Sequence, residues 1–436
     1  MEFTYRRAES QEEIAYINKR KCKAFRESLC FYLCRIFPVK KKRISVCTFE
    51  GKGGFGCNPR YLVEELHRRD PDLEFVWMVN DYDSQHPKHT FPDYVKPVDN
   101  SSTWSRAYWL STSKIWIDNY RKPYGTVKRK GQYYLNVNHY TIGMKCTGLY
   151  RGQGFSEMAY LVSKNDSDMV NDFVIDSKWC EDISPKALVY DGTYQKTGAP
   201  RCDVLYGDRT KKKLEFRHRH NIPDGAKVVM YAPTFREGAT DGKRFVFSEI
   251  WSIDFERLLK CLEKRFGGDW YLCVRVHPQL APTFAEYKNE AIQDRLIDES
   301  QADDMYEILA GMDAYITDYS SAMFEAGFAH MPTFIYADDI DKYADNRGSL
   351  MWNIVTDPHD YVKNNKDITE NFDAVLPFGI AEDNDELGQL IADFDQAEYD
   401  RKLDEFHEAV GLVFDGNASG KLADVVEDRI RNRSDC

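Results

Sequence analysis

The chain has 436 residues, a formal net charge of −12, and 42% hydrophobic and 14% aromatic residues. That length suits two domains of about 200 residues each, and the acidic balance argues against a nucleic-acid binder, which normally carries a basic domain. The 11 cysteines form no CxxC pair and several lie in apolar runs, so reduced thiols in a cytosolic protein are expected rather than a zinc site.

Residues 1–43 stand apart. Lys19, Arg20, Lys21, Lys23, Arg26, Arg35 and Lys40 to Arg43 make this stretch basic in an acidic protein. Phe25, Leu29, Tyr32, Leu33 and Ile36 recur at helical spacing. The pattern predicts an amphipathic helix over 15–43 that lies on an anionic membrane surface. No run reaches the ~18–20 apolar residues of a membrane span, and the N-terminus lacks a signal-peptide core and cleavage site.

From residue 44 the pattern turns to alternating strands and helices. Ile44 to Phe49 reads as a strand ending in a Gly-rich turn, Glu50 to Gly56, which fits neither the Walker spacing nor GxGxxG. A helix follows from Asn58-Pro59 to Arg69. Phe75 to Val79 is a strand, Ser101 to Leu110 a helix, and Lys114 to Ile117 a strand. Tyr133 to Val137 is another strand, stopping at Asn138-His139-Tyr140-Thr141. Lys164 to Tyr194 holds short alternating elements, and a second unit starts near Gly198. The expected domains are therefore 44–197 and 198–436, the latter including a helical tail from Glu382.

In the second half three apolar runs stop at polar residues suited to an anion. Val228 to Tyr231 leads to Thr234 and Arg236. Trp270 to Val276 carries Arg275 and stops at His277-Pro278. Met312 to Ile316 leads to Thr317-Asp318-Tyr319-Ser320-Ser321, before a helical pattern from Ala322 to His330. Parallel strands in one sheet would place these ends along one edge, where open α/β sheets bind ligands. Ser320 and Ser321 suit a helix cap and a phosphate. Two βαβ units with a cleft between them are the expected architecture.

Taken in order, GAPRCD at Gly198–Asp203, YAPTFR at Tyr231–Arg236, RVHP at Arg275–Pro278 and TDYSS at Thr317–Ser321 resemble the CDP-glycerol glycerophosphotransferase family, the teichoic-acid and capsule polyol-phosphate transferases. Phe49 to Pro59 with Trp77 resembles its Gly-rich opening, and Asp341 to Gly348 and Asp415 to Ser419 its closing segments. The resemblance covers residues 43–430. It implies a GT-B-like α/β fold, two Rossmann-type domains facing across a cleft. It also implies transfer of a polyol phosphate, glycerol phosphate first, from a CDP-activated donor to a hydroxyl of a lipid-linked or polymeric acceptor, with CMP released. Such enzymes work as peripheral proteins on the cytoplasmic membrane face, which suits the basic N-terminal helix. One segment departs from the family: its Trp-His-Gly-Thr-Pro-Leu-Lys reads here Asn138-His139-Tyr140-Thr141-Ile142-Gly143-Met144-Lys145, one residue longer after Thr141, with the Trp and Gly lost.

On that resemblance His139 is the expected general base, since imidazole titrates near neutrality, and His277 the group on the donor pyrophosphate. Thr234, Arg236, Arg275, Asp318, Ser320 and Ser321 are assigned to the donor side, with Asp318 orienting His277 or Arg275 or bonding turn amides. Lys145 and Arg201 are assigned to acceptor or phosphate, with Asp203 organising Arg201. No metal or other cofactor is required, although Mg²⁺ on the pyrophosphate is compatible. Two other readings stay open: a GT-B glycosyltransferase using a UDP- or GDP-sugar, and an inactive nucleotide-binding paralogue, kept alive by Tyr140 beside His139.

Overall fold

Apolar runs that alternate with amphipathic helices build a parallel sheet, because each crossover covers a face that would otherwise meet water. The computed structural model describes residues 4–139, 141–234, 236–240, 243–247, 252–276, 281, 284, 287–340, 350–353, 363–364 and 374–431, with backbone alone at 236–240, 243–247, 353, 363 and 364. The chain divides into two units. The first is Met1–Thr141, Thr147–Asp203 and Val413–Cys436; the second is Ile142–Cys146 and Val204–Leu412.

The first unit holds β1 (Lys40–Cys47), β2 (Glu74–Val79), β3 (Val95–Asp99), β4 (Ser113–Asp118), β5 (Tyr133–Asn136), β6 (Asp172–Ile175) and β7 (Thr193–Lys196). They form one seven-stranded sheet in the order β3-β2-β1-β4-β5-β6-β7, parallel throughout. Ile44 faces Phe75 on one side and Ile115 on the other. Helix α1 (Gln11–Leu33) precedes them, and α2 (Cys57–Arg69), α3 (Thr103–Thr112), α4 (Glu157–Ser167) and α5 (Lys178–Ala187) run between them. One face of the sheet, with Ile44, Val46, Trp77 and Ile117, packs on Leu62 and Leu66 of α2. The other, with Val76, Met78, Trp116 and Tyr134, packs on Phe31 of α1 and on Ala107 and Leu110 of α3.

The second unit repeats the scheme. Its strands are β8 (Lys227–Tyr231), β9 (Arg236–Thr240), β10 (Lys243–Phe247), β11 (Trp270–Val274), β12 (Leu296–Asp298), β13 (Ala314–Thr317), β14 (Thr333–Tyr336), β15 (Trp352–Asn353), β16 (Lys363–Asn364) and β17 (Gly379–Ala381). Six of them form a parallel sheet in the order β12-β11-β8-β13-β14-β17, while β9 pairs with β10 and β15 with β16 in antiparallel ladders. Its helices are α6 (Thr210–Arg219), α7 (Phe255–Phe266), α8 (Met305–Leu309), α9 (Ala322–Gly327), α10 (Asn384–Asp393) and α11 (Gln396–Ala409). Leu258, Leu259 and Leu262 of α7 fill the core against Leu272, Val274 and Ile316.

Three boundaries differ from the sequence reading. The N-terminal helix ends at Leu33, and Lys40–Lys42, counted there with the basic segment, already belong to β1 as its exposed end. The last helix, α12 (Ala418–Arg431), lies in the first unit rather than the second, because Leu422, Ala423 and Val426 complete the core beside α2. Ile142–Cys146 falls in the second unit, where Met351 N–H donates to the Met144 carbonyl and Trp352 Nε1 to that of Gly143.

Helix α1 docks through Ile17, Ala24 and Phe31, one residue every second turn. Gly125, at φ 98°, makes this approach possible: a Cβ there would lie 2.6 Å from the Ala24 carbonyl oxygen. Gly125→Ala is expected to cost about 1–3 kcal/mol, from the positive φ and the clash together, with the loss concentrated at α1. Urea unfolding and hydrogen exchange of α1 amides measure it; unchanged α1 protection would show that the docking does not depend on this glycine.

Candidate active site

Both sheets share one topological feature. In each, the order reverses beside the first strand, between β1 and β4 and between β8 and β13. The crossovers leave in opposite directions there, and a crevice opens at the carboxyl ends.

In the first unit the residue after β4, Asn119, sits at this point. Its side-chain oxygen accepts from Phe49 N–H at 2.8 Å, and its carbonyl lies 3.0 Å from His139 Nδ1. A carbonyl can only accept, so Nδ1 carries the proton and Nε2 the lone pair. The ring lies edge-on to Phe49 and tilted against Tyr120, with centroids 5.8 and 5.2 Å away. Burial first, and then the Arg201 charge, draw the imidazole down to about 4; the Asn119 carbonyl opposes them and Arg121 adds to the depression. His139 is therefore neutral at neutral pH, in the tautomer that accepts a proton at Nε2.

Asn58 holds this arrangement together. Its Nδ2 donates to the carbonyls of Val137 and Asn138, both at 2.9 Å, and its Oδ1 accepts from Arg201 N–H at 3.0 Å. Arg201 is buried, with Nη1 3.0 Å from Cys57 Sγ. The turn below is fixed by a buried ion pair: Lys122 Nζ lies 2.6 Å from Asp118, which also accepts from Tyr120 N–H. The backbone is strained here. Phe49, Glu50, Cys57 and Asn138 have φ between 49° and 59°, a conformation that L side chains avoid and that concentrates at functional sites. Asn80 and Asn100 each donate to the Glu50 carbonyl, at 2.9 and 3.1 Å.

Of the other acceptor-side candidates, Lys145 lies in the second unit, bridged to Leu350. Asp203 accepts from Ala418 and Ser419 N–H, both at 2.8 Å, and so caps α12 rather than organising Arg201. Burial raises its pKa against these bonds.

In the second unit the structure brings Thr234 and Asp318 together at the reversal point. Asp318 accepts from Thr234 N–H at 2.8 Å, Thr234 hydroxyl at 2.9 Å and Tyr319 N–H at 2.6 Å. It thus bonds turn amides, one of the two roles expected for it. Thr317 hydroxyl donates to the Ala232 carbonyl at 2.7 Å and closes the same junction. Ser320 Oγ accepts from Ala322 N–H at 3.4 Å, while Ser321, at the N-cap of α9, makes no side-chain capping bond. Arg275 donates to the carbonyls of Glu299 and Ala302 at 2.6 and 2.8 Å, and burial lowers its pKa. Its guanidinium ties down the loop after β12. Arg236 opens β9; its side chain, His277 and the 341–348 segment lie outside the described residues. Among the described residues no group of three or more His, Cys, Asp or Glu is placed to hold a metal ion.

The sequence reading missed Asn119, Asn80 and Asn100. Each follows a strand directly, and that position was the available signal. Asn58 was read only as a helix start.

Residues 29–357 match the family described as CDP-Glycerol:Poly(glycerophosphate) glycerophosphotransferase. A teichoic acid poly(glycerol phosphate) polymerase of Staphylococcus epidermidis is 28% identical over 91% of this chain and 52% of its own length. A teichoic acid poly(glycerol phosphate) polymerase of Bacillus subtilis is 26% identical over 72% of this chain and 41% of its own. The chain thus spans about half the length of these two relatives. A teichoic acid glycerol-phosphate transferase of Staphylococcus aureus is 27% identical over 87% of this chain and 91% of its own. The solved structure of the wall teichoic acid polymerase TagF superposes with a TM-score of 0.73 at 24% identity, over 97% of this chain and 99% of that one. The fold is the GT-B-like α/β class with two Rossmann-type sheets.

The His139 arrangement has a pH signature. Because the folded value lies below the ordinary 6.5, the neutral ring is favoured by the fold, and stability present above pH ~6.5 falls as pH drops towards 4. The His139 ring, followed by NMR, is expected to stay neutral at pH 5.5. In Arg201→Gln its pKa should rise but stay below 6.5, since burial is the larger cause. A titration near 6.5 in the intact protein would refute the buried, neutral imidazole.

Proposed function

The chain belongs to the CDP-glycerol:poly(glycerophosphate) glycerophosphotransferase family, and from that membership and the state of His139 we propose that it transfers glycerol phosphate from CDP-glycerol to the hydroxyl of a lipid-linked or teichoic or capsular polymer acceptor. The acceptor oxygen attacks the β-phosphorus, the bond from that phosphorus to the CMP oxygen breaks, and CMP leaves. The hydroxyl proton passes to Nε2 of His139. The observation that carries the reading is the Asn119 carbonyl on Nδ1, which leaves the lone pair on the nitrogen that must take the proton. The junction of Thr234, Asp318 and Ser320 at the reversal point of the second sheet is the donor side, and His277 follows its neighbour strand β11. Charge developing on the pyrophosphate is stabilised there by fixed donors.

The same proposal places the protein on the cytoplasmic membrane face. Among the described residues no helix is long and apolar enough to cross a membrane. Helix α1 carries two apolar stripes: Ile17, Ala24 and Phe31 are buried, while Phe25, Leu29 and Leu33 are 66%, 46% and 58% exposed. Ile36, just beyond, is 81% exposed. Inserted into a leaflet, the outer stripe gains about 25 cal/mol per Å² covered, and each nearby lysine or arginine about 1 kcal/mol. The stripe is therefore available to lipid while the inner one keeps α1 docked.

Two measurements follow. A panel of CDP-polyols and UDP- and GDP-sugars is expected to yield CMP from CDP-glycerol, and His139→Ala to lower its release about 10²–10⁴-fold with CDP-glycerol affinity retained. UDP or GDP release instead would make the protein a glycosyltransferase, and no release from any donor would leave the inactive paralogue. The variant Phe25→Ser/Leu29→Ser/Leu33→Ser, which leaves the docked stripe intact, is expected to lose co-sedimentation with anionic vesicles, and added salt to weaken that of the wild type without abolishing it. Equal sedimentation of both proteins would remove α1 as the anchor.

A further inference from the structure

A cavity of about 410 Å³ lies within the first unit, apart from the His139 ring. Its floor is the carboxyl edge of the sheet: Glu50 and Lys52 after β1, Asn80 and Asp81 after β2, and Asn100 and Ser101 after β3. Helix α1 forms the opposite wall with Arg20, Lys23, Ala24 and Glu27. Of these, Glu50, Asn80 and Asn100 also form the braced turn beside the His139 site, whereas Arg20, Lys52 and Asp81 have no part in it.

Its lining limits what it can hold: besides Ala24, Pro123, Tyr124 and Val162, every residue that lines it is polar or charged. A bare anion meets three carboxylates, Glu27, Glu50 and Asp81. Glu27 is taken up by Arg106 at 3.3 Å and Lys23 at 3.6 Å. The side chains of Arg20 and Lys52 have no hydrogen bond or ion pair among the described residues, and both bear electrostatically on Glu50. Cations next to carboxylates and a serine suit a ligand with hydroxyl groups and a phosphate. The carboxylates accept from hydroxyls, and the cations take phosphate oxygens. The wall is pre-formed: α1 is pinned at Ala24 by Gly125, and the left-handed Glu50–Gly51 turn leaves no room for a Cβ at Gly51, which would lie 2.6 Å from Asn80 Oδ1 and Asn100 Nδ2.

We propose that this cavity binds a polyol-phosphate unit of the acceptor, with Arg20 and Lys52 on the phosphate and Glu50 and Asp81 on the hydroxyls. The assignment rests on reading the protein as a polyol-phosphate transferase, for which a growing polyol-phosphate chain is the acceptor. Helix α1 then serves two ends, with one side lining the cavity and its exposed apolar stripe turned to solvent.

The test uses the full-length protein and a soluble three-unit oligomer of glycerol phosphate, followed by calorimetry. The oligomer is expected to bind, and Arg20→Gln/Lys52→Gln to weaken it at least tenfold. Arg20→Lys/Lys52→Arg should restore most of the affinity. CDP-glycerol binding and the thermal midpoint are controls expected to stay unchanged. Oligomer affinity that is equal in wild type and the Gln double variant, or no binding to the wild type, overturns the proposal. The same phosphate chemistry is offered by a lipid headgroup, so both proteins are also sedimented with phosphatidylglycerol vesicles. A loss confined to vesicles assigns the cavity to lipid and overturns the acceptor reading. If no donor yields CMP while the variant still loses the oligomer, the cavity stands and the proposed reaction falls.

Discussion

The reversal of strand order beside the first strand is the constraint from which the rest follows. Right-handed crossovers let a parallel sheet grow from its first strand in only two directions. In this chain both sheets grow first one way and then the other. The crevice at the reversal is therefore a consequence of topology, before any side chain is chosen. What the sequence adds is chemistry at those strand ends. In the first unit it supplies Asn119 and the Gly-rich turn; in the second, Thr234 and Asp318. In the second unit the carboxylate is engaged by amide and hydroxyl donors of its own turn.

Strain in the first unit is concentrated where it is held most firmly. Non-glycine residues at positive φ each cost of order 1–3 kcal/mol, and Phe49, Glu50, Cys57 and Asn138 lie within one set of loops. Three of the four are tied by asparagines: Asn119 on the Phe49 amide, Asn80 and Asn100 on the Glu50 carbonyl, Asn58 on the Asn138 carbonyl. A side-chain amide suits this work because it both donates and accepts, so one residue can satisfy two backbone groups that no ladder reaches. The turn is over-determined, and Phe49, held in the left-handed region, packs edge-on against His139.

Much of the fold was legible because buried parallel strands are apolar runs. Phe75–Val79, Tyr133–Val137 and Val228–Tyr231 were each located within a residue or two of the observed β2, β5 and β8. Charge misled at the start of β1, since Lys40–Lys42 are exposed and extended but read as more of the basic helix. Periodicity misplaced α12, because Leu422, Ala423 and Val426 announce a buried face without saying whose core receives it. In the site, His139 was legible as a titratable residue just past a strand. The Asn119 carbonyl was not, because a main-chain acceptor has no letter in the sequence. Arg275 was assigned to the donor side as a polar residue at the end of an apolar run; two carbonyls beyond β12 claim it, and only tertiary contacts reveal that.

The environment of His139 is drawn from segments far apart in the chain. Phe49, Asn119 and Arg201 come from three separate segments, after β1, β4 and β7, and Asn58 of α2 bonds the Arg201 amide. Arg201 in turn lies in the stretch that ends at Asp203, whose carboxylate holds the first amides of α12 more than 200 residues later. Beside it, Val413 N–H donates to the Asp176 carbonyl as the chain re-enters the first unit. The causes of the depressed imidazole, burial first, then the Arg201 charge, with Arg121 adding to them, therefore come from segments outside its own loop. A chain stopped before residue 413 would keep every residue near His139 yet leave Asp203 without its capping partners and the α2 face of the sheet uncovered. The protonation state of His139 is in this sense set by the completed unit rather than by its own loop, which explains why residues remote in sequence belong to the description of one proton.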